Sequence, residues 1–320
     1  MQQPGVRKLV SSLSLLWLCA CSEPHVPIEA QITTSIIATD ATKEASNYVN
    51  SIQIDAILSF IGTSYSEAKN AATALREQSN TYLASGKKID FEALNKQWHR
   101  AHLNYRLAQL SQFTQIQHPI FDASILSRFH VRIDASPLLP GYLDKIAGYP
   151  FSGLIYTDLP ITLEQLEAEH QMGDVAYVSL GFHAFKFMLN GDPTIEDSPW
   201  ERINDKTNIN DSTIGQRRQQ YLSIVAQQLV DDIALEAQEW LGSQGYFNQA
   251  LRAFSPEQLA QFSIALNDET QVEAWLTTEQ DHFEQEAVNQ LLLSLNTLKE
   301  LVNPAATPER ITPSNNVSPG

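Results

Sequence analysis

Ser179-Leu-Gly-Phe-His-Ala-Phe-Lys-Phe-Met-Leu-Asn-Gly191 is an apolar run with a glycine near each end and one ionisable pair, His183 and Lys186, three residues apart. On a helix that spacing sets both side chains on one face, about one turn apart. Phe182, Phe185, Phe187, Met188 and Leu189 surround the pair, and a helix that is apolar nearly all round is a buried one. The stretch therefore predicts a central helix carrying a histidine and a lysine into the core or to its edge. The residues alone leave two readings open. One is a core histidine bonded to a neighbour beside a lysine that snorkels to water. The other is a pair of functional groups held in a poorly solvated place.

On the N-terminal side, Ile54, Leu58, Ile61, Tyr65, Ala68, Ala72 and Leu75 recur every three or four residues, which predicts a helix from about 51 to 83 that stops at Gly86. Asp90 is a candidate N-cap for the next helix. There Phe91, Leu94, Trp98, Ala101, Tyr105 and Ala108 form a stripe, with His102 and Gln109 on its adjoining edge. Residues 114–160 read as a long irregular excursion, because Pro119, Pro137, Pro140, Pro150, Gly141, Gly148 and Gly153 interrupt helices. Thr162 to Gln165 is a capping box.

On the C-terminal side, residues 192–210 are polar and read as a surface loop. A long helix is expected over about 213–240, and Ser255-Pro-Glu-Gln258 marks a strong helix start. A last helix is expected from about 269 to 301. The tail, 303–320, has the composition of a disordered segment. Residues 22–49 read as a tether leading into a first helix. These periodicities make the chain all-α.

The first 20 residues have the pattern of a targeting segment: Arg7 and Lys8, an apolar run from Leu9 to Leu18, then Leu18-Cys19-Ala20-Cys21. The pattern resembles a bacterial lipoprotein signal, with cleavage before Cys21 and fatty acylation of its thiol, palmitate for example. Acyl chains at Cys21 would tie the protein to a membrane surface without spanning it, and Ser22 suits outer-membrane sorting with the body facing the periplasm. Cys19 and Cys21 are the whole cysteine complement, so after such processing no disulfide, thiolate metal site or cysteine nucleophile would remain. A net charge of −16 repels phosphate backbones and argues against nucleic acid as a partner.

Four landmarks carry a family resemblance. Gly181, Phe182, His183, Ala184, Phe187, Leu189 and Gly191 fit a Gly-x-His-x-x-Glu signature in its wider context, with Lys186 at the glutamate position. Trp98, Ala101 and Tyr105 fit a Trp-x-x-Ala-Arg-x-x-Tyr-x-x-x-Glu pattern, with His102 for the arginine and Gln109 for the glutamate. Ala135, Pro137, Leu138, Tyr142 and Asp144 fit a third stretch in which Leu139 replaces an aspartate, and Arg217-Arg218-x-x-Tyr221-Leu222 fits a fourth. Over about residues 50–300 the chain thus resembles the imelysin-like proteins. The resemblance implies two helical-bundle halves, about 50–191 and 212–302, with the signature helix near their junction and the long excursion in the first half.

The resemblance also implies chemistry. The family is classed among metallopeptidases, and several members are linked to iron acquisition at the cell envelope. It implies a metal site built on the motif histidine and glutamate. Imidazole with carboxylates is what a borderline cation needs. In this chain His183 and Asp144 are the candidate ligands that remain, while Lys186, Gln109 and Leu139 stand where acids are expected. Iron or another divalent metal is therefore the implied cofactor, at a rebuilt or abandoned site. In a rebuilt site Lys186 pairs with Asp144 and His183 bonds Gln109 or Tyr105; alternatively Lys186 captures an anionic ligand. No His-Glu-x-x-His or Gly-x-Ser-x-Gly occurs. The expected role is binding or accessory work in metal acquisition, with envelope iron-uptake proteins as partners. The alternatives are a metallopeptidase rearranged around His183 and a non-catalytic scaffold.

Overall fold

The Gly181 stretch forms a helix wedged among four others in the computed structural model, which describes residues 28–110, 123–196, 198–209, 211–268, 283–303 and positions 272, 274, 275 and 277. Side chains are described from Asn50 onward. The chain divides into two units, Met1–Ser46 and Asn47–Gly320. Of the first, residues 28–46 are helical. The signal segment, Cys21, His118, His282 and the tail beyond Asn303 lie outside the described residues.

The protein is all-α, as the periodicity predicts. Among the described residues the bounded helices are α1 (Ile28–Ser85), α2 (Lys88–Ala108), α3 (Ala123–Ile133), α4 (Pro140–Leu143), α5 (Leu163–Glu169), α6 (Gly181–Asn190), α7 (Ile214–Leu241), α8 (Tyr246–Arg252), α9 (Pro256–Leu266) and α10 (Gln285–Val302). Short 3-10 turns cover Leu154–Tyr156 and Pro199–Asn204, and one two-residue hairpin pairs Asn208 with Thr213. A buried apolar cluster runs from Ile54 on α1 through α2, α6 and α7 to Val302 on α10. α6 packs against α2, α3, α4 and α7. It is buried because Phe182, Ala184, Phe185, Met188 and Leu189 face these neighbours.

Several boundaries differ from the sequence expectation. α1 starts at Ile28, so most of the predicted tether is helical. Its polar residues offer no apolar stripe, yet nothing between Ile28 and Ser85 breaks a helix. Asp90 is not the N-cap; Lys87 is, and Asp90 sits in the first turn, where its charge complements the helix dipole. The excursion holds α3, which occupies the span free of proline and glycine between Pro119 and Pro137. The last predicted helix is interrupted: positions 272, 274, 275 and 277 are helical, Glu284 is extended, and α10 runs from Gln285. Of the caps read from sequence, Ser255 forms a full capping box with Gln258 and the Thr162 side chain accepts from the Gln165 amide; Thr213 with Gln216 forms a further full box.

Candidate metal centre

α6 begins at an unusual backbone position. Gly181 has φ of +91°, and a Cβ there would lie 2.6 Å from the Ile133 carbonyl oxygen. Only glycine allows this approach. It brings the start of α6 against the end of α3, one residue before Asp134. Trp98 Nε1 donates to Phe182 O at 2.9 Å and fixes α2 to the same turn. Three helices thus converge on a single point.

At that point two imidazoles share one carboxylate oxygen. His102 Nε2 lies 2.7 Å from Asp134 Oδ1, and His183 Nε2 lies 3.2 Å from the same atom. His102 is 1% exposed and Asp134 4%, while His183 is half-buried. Arg106 Nη1 reaches Asp134 Oδ2 at 3.3 Å. Burial holds the His102 imidazole below its usual range despite Asp134 beside it, so it is neutral near pH 7. Burial opposes ionisation of Asp134, but His102, His183 and Arg106 together hold its carboxyl well below the usual carboxylate range. Phe182 and Phe283 flank the His102 ring at 4.9 and 5.1 Å. Its Nδ1 is buried and makes no hydrogen bond.

A second polar chain adjoins this cluster. Arg106 Nη1 donates to Gln109 Oε1 at 2.6 Å, Gln109 Nε2 to the Tyr105 hydroxyl at 2.8 Å, and Tyr105 to Glu236 Oε2 at 2.9 Å. Burial, with Glu236 nearby, drives the Tyr105 phenol well above its usual range, so it remains a donor. His183 therefore does not take Gln109 or Tyr105 as its carboxylate substitute; Asp134 fills that place.

Asp144 is not a ligand candidate in this geometry. It is fully buried and accepts from Arg218 Nε at 2.7 Å, from Arg218 Nη2 at 2.9 Å, from the Lys145 amide at 2.7 Å and from Arg202. Its lone pairs are committed to this structural clamp. Arg202 also donates to Met188 O at 2.9 Å, closing the C-terminal end of α6. Residues 192–210 are consequently more than a surface loop, since Arg202 and Ile203 are buried.

The expected Lys186–Asp144 pair is absent as well. Lys186 Nζ donates to Asn95 Oδ1 at 2.9 Å, lies 3.2 Å from His99 Nε2 and sits 4.6 Å from the Trp98 ring centroid. The ammonium is engaged with these neutral groups. His99 and His102, three residues apart on α2, do not clip one ion; they face different partners. Leu139 is exposed at the start of α4.

The donor set suits a metal. His102, Asp134 and His183 each offer one ligand atom, and these atoms all lie within 4.8 Å of one another. Two neutral-capable imidazoles and one ionised carboxylate form a set that zinc and ferrous iron accept.

Sequence reading found His102 and His183 and missed Asp134, the residue that joins them. Asp134 directly precedes Ala135, the first match of the third landmark, and that adjacency was the one available signal.

Fold and site together define a helical protein whose glycine-led motif helix delivers an imidazole to a buried His–Asp–His cluster. A family model described as Peptidase_M75: Imelysin matches residues 61–306, and the chain belongs to the imelysin family. No curated protein matches the chain.

Proposed function

We propose that this imelysin binds a divalent transition metal through His102, Asp134 and His183, and that it serves as a binding or accessory protein in metal acquisition at the cell envelope. One observation carries the reading: two imidazole Nε2 atoms converge on a single ionised carboxylate oxygen. A bound ion would supply Lewis acidity at that point. The chain's own part is to keep Asp134 charged and to shield His102 between Phe182 and Phe283. His183, the half-buried member, gives the ion its way in.

The envelope setting rests on the leader pattern and Cys21. Cys21→Ala should release the protein from the membrane fraction; unchanged fractionation would remove that part of the reading.

Calorimetry on chelator-stripped protein with ferrous iron, zinc and copper tests the site. One-to-one binding that falls in His183→Ala and Asp134→Asn is the expected result. Binding indifferent to both substitutions would refute it. A second reading has its own support, because Arg106 already stands 3.3 Å from Asp134 Oδ2 and can neutralise it. On that reading the cluster is a metal-free ion network, and no metal binds. Hydrolysis would require the same ion, so protease assays follow only a positive titration.

A further inference from the structure

His102 and Arg106 stand four residues apart on α2, and the helix turns both toward the same partner, Asp134. His102 takes Oδ1 at 2.7 Å, and Arg106 takes Oδ2 at 3.3 Å. One helix therefore brings to the buried carboxylate both a candidate metal ligand and a guanidinium, which stays charged at any ordinary pH. The anion that a metal ion needs is thus already balanced by a cation of the chain itself.

The hold of Arg106 on Asp134 is loose beside that of Arg218 on Asp144. Arg218 grips its carboxylate with two nitrogens, at 2.7 and 2.9 Å, and its side chain is 1% exposed. A two-nitrogen fork is the strong form of this bond. Arg106 meets Asp134 through Nη1 alone, at 3.3 Å, and its side chain is 18% exposed. The same nitrogen donates to Gln109 Oε1 at 2.6 Å, a shorter bond than the one to the carboxylate. Gln109 is fixed in that direction. Glu236 accepts the Tyr105 proton, the Tyr105 oxygen accepts from Gln109 Nε2, and the amide oxygen is left to face Arg106. Arg106 can thus turn from Asp134 toward water and keep Gln109 as its partner.

We propose that Arg106 is the built-in counter-ion of the cluster: it holds Asp134 in the metal-free protein, yields it to a divalent cation, and so sets the metal affinity of the site. The inference rests on the metal reading of His102, Asp134 and His183. Two positive groups claim one carboxylate, and in a poorly solvated place they repel each other. The charge of Arg106 therefore weakens metal binding while it stabilises the metal-free fold. Removing it has two effects of opposite sign, a less stable metal-free protein and a tighter metal site. An arginine with a purely structural role would give only the first.

The test titrates zinc into chelator-stripped full-length protein by calorimetry and measures urea midpoints with and without zinc. Arg106→Gln should bind zinc at least about tenfold more tightly than the parent, and adding His183→Ala should remove the gain. Without zinc its midpoint should fall below the parent's, while the rise that zinc brings should be larger. Arg106→Lys keeps the charge and should bind close to the parent. Arg100→Gln, which removes an exposed cation from the same helix, should do the same. Arg106→Met replaces Arg106→Gln if circular dichroism shows that the glutamine variant is unfolded. Zinc affinity in Arg106→Gln that equals or falls below the parent's overturns the proposal and, where the parent binds through His183, leaves the metal site standing. A gain as large in Arg100→Gln overturns it as a general effect of charge. Binding through His183 in Arg106→Gln with none in the parent supports the proposal, Arg106 then holding the site shut, and refutes the metal reading for the parent chain. An absence of zinc binding in both proteins overturns the two together.

Discussion

His102 Nε2 stands 2.7 Å from Asp134 Oδ1, and both groups are buried. The bond joins α2 to the end of α3 across 32 residues of sequence. Asp134 is ionised and accepts from His183 and Arg106 as well, so its charge holds three side chains. Asp134→Asn keeps the shape and removes the charge. Metal-free protein should lose about 2 kcal/mol, the scale of a charge-assisted hydrogen bond in a buried place. Urea denaturation would show it, and an unchanged midpoint would mean the three contacts are energetically idle.

Gly181 makes that convergence possible, and two glycines separate the reasons. Gly181 and Gly148 both have positive φ, +91° and +81°. A Cβ on Gly148 meets nothing within 4 Å, whereas one on Gly181 lies 2.6 Å from Ile133 O. Gly148→Ala should cost about 1 kcal/mol for its backbone alone. Gly181→Ala should cost about 3 kcal/mol, because α6 must also retreat from α3. The retreat should weaken metal binding through His183. Equal losses in the two variants would show that the close approach is unimportant.

His170 gives the protein an acid-sensitive joint. Its Nδ1 accepts from the Ser179 and Leu180 amides at 3.1 and 3.2 Å, and its Nε2 faces Val131 O. Burial lowers its affinity for a proton. The unfolded chain therefore takes up a proton near 6.5 while the folded chain does not. Stability is complete above that value and declines as pH falls below it, by up to about 1.4 kcal/mol per pH unit for this group. Urea midpoints at pH 7.5 and 5.5 should differ, and His170→Gln should flatten the difference. A slope unchanged by the substitution would assign the acid sensitivity to other histidines.

Much of the fold was legible because buried helices write their period into sequence. The stripes from Ile54 to Leu75 and from Phe91 to Ala108 needed no tertiary knowledge. The capping residues at Thr162 and Ser255 were equally local. The site was legible only in part. His183 announced itself as the one imidazole in an apolar helix, but Asp134 is a lone acid just beyond a helix, and its role depends on partners far along the chain. Arg202 lies in a stretch whose polar composition gives no hint of burial. The direction of Lys186 was not legible either. Sequence spacing shows that it shares a face with His183, while the side chain turns to Asn95 and Trp98.

Asp144 shows what a site residue looks like when its work is structural. It holds the Arg218 guanidinium through two bonds, at 2.7 and 2.9 Å, and also holds Arg202, with all three residues buried. Asp144→Asn takes the buried carboxylate away from both arginines, although Arg218 keeps Asp205 at 3.3 Å, and removing one partner of such a network costs about 3 kcal/mol. Asp55→Asn, which breaks the exposed pair with Arg252, should cost less than about 1 kcal/mol. Thermal and urea denaturation of the two variants would rank them. A small loss in Asp144→Asn would mean that water reaches the arginines, and the clamp on the end of α6 would not be needed.

Lys186 should behave in the opposite way. Its ammonium is partly stripped of water, and no carboxylate among the described residues pairs with it, so the fold disfavours its charge and pushes it from 10.5 down to about 8. The native chain then binds fewer protons than the unfolded chain between about pH 8 and 10.5. The resulting handicap is full below 8 and fades as pH rises toward 10.5. Lys186→Met removes the charge and leaves an apolar side chain over Trp98. It should raise stability at pH 7 by about 1 kcal/mol, a figure reduced for the water that still reaches the amine. By pH 10 most of the gain should be gone. Urea midpoints of both proteins at pH 7 and pH 10 decide the matter. A lower midpoint for Lys186→Met at pH 7 would show that the bonds to Asn95 and His99 outweigh the cost of burying the charge.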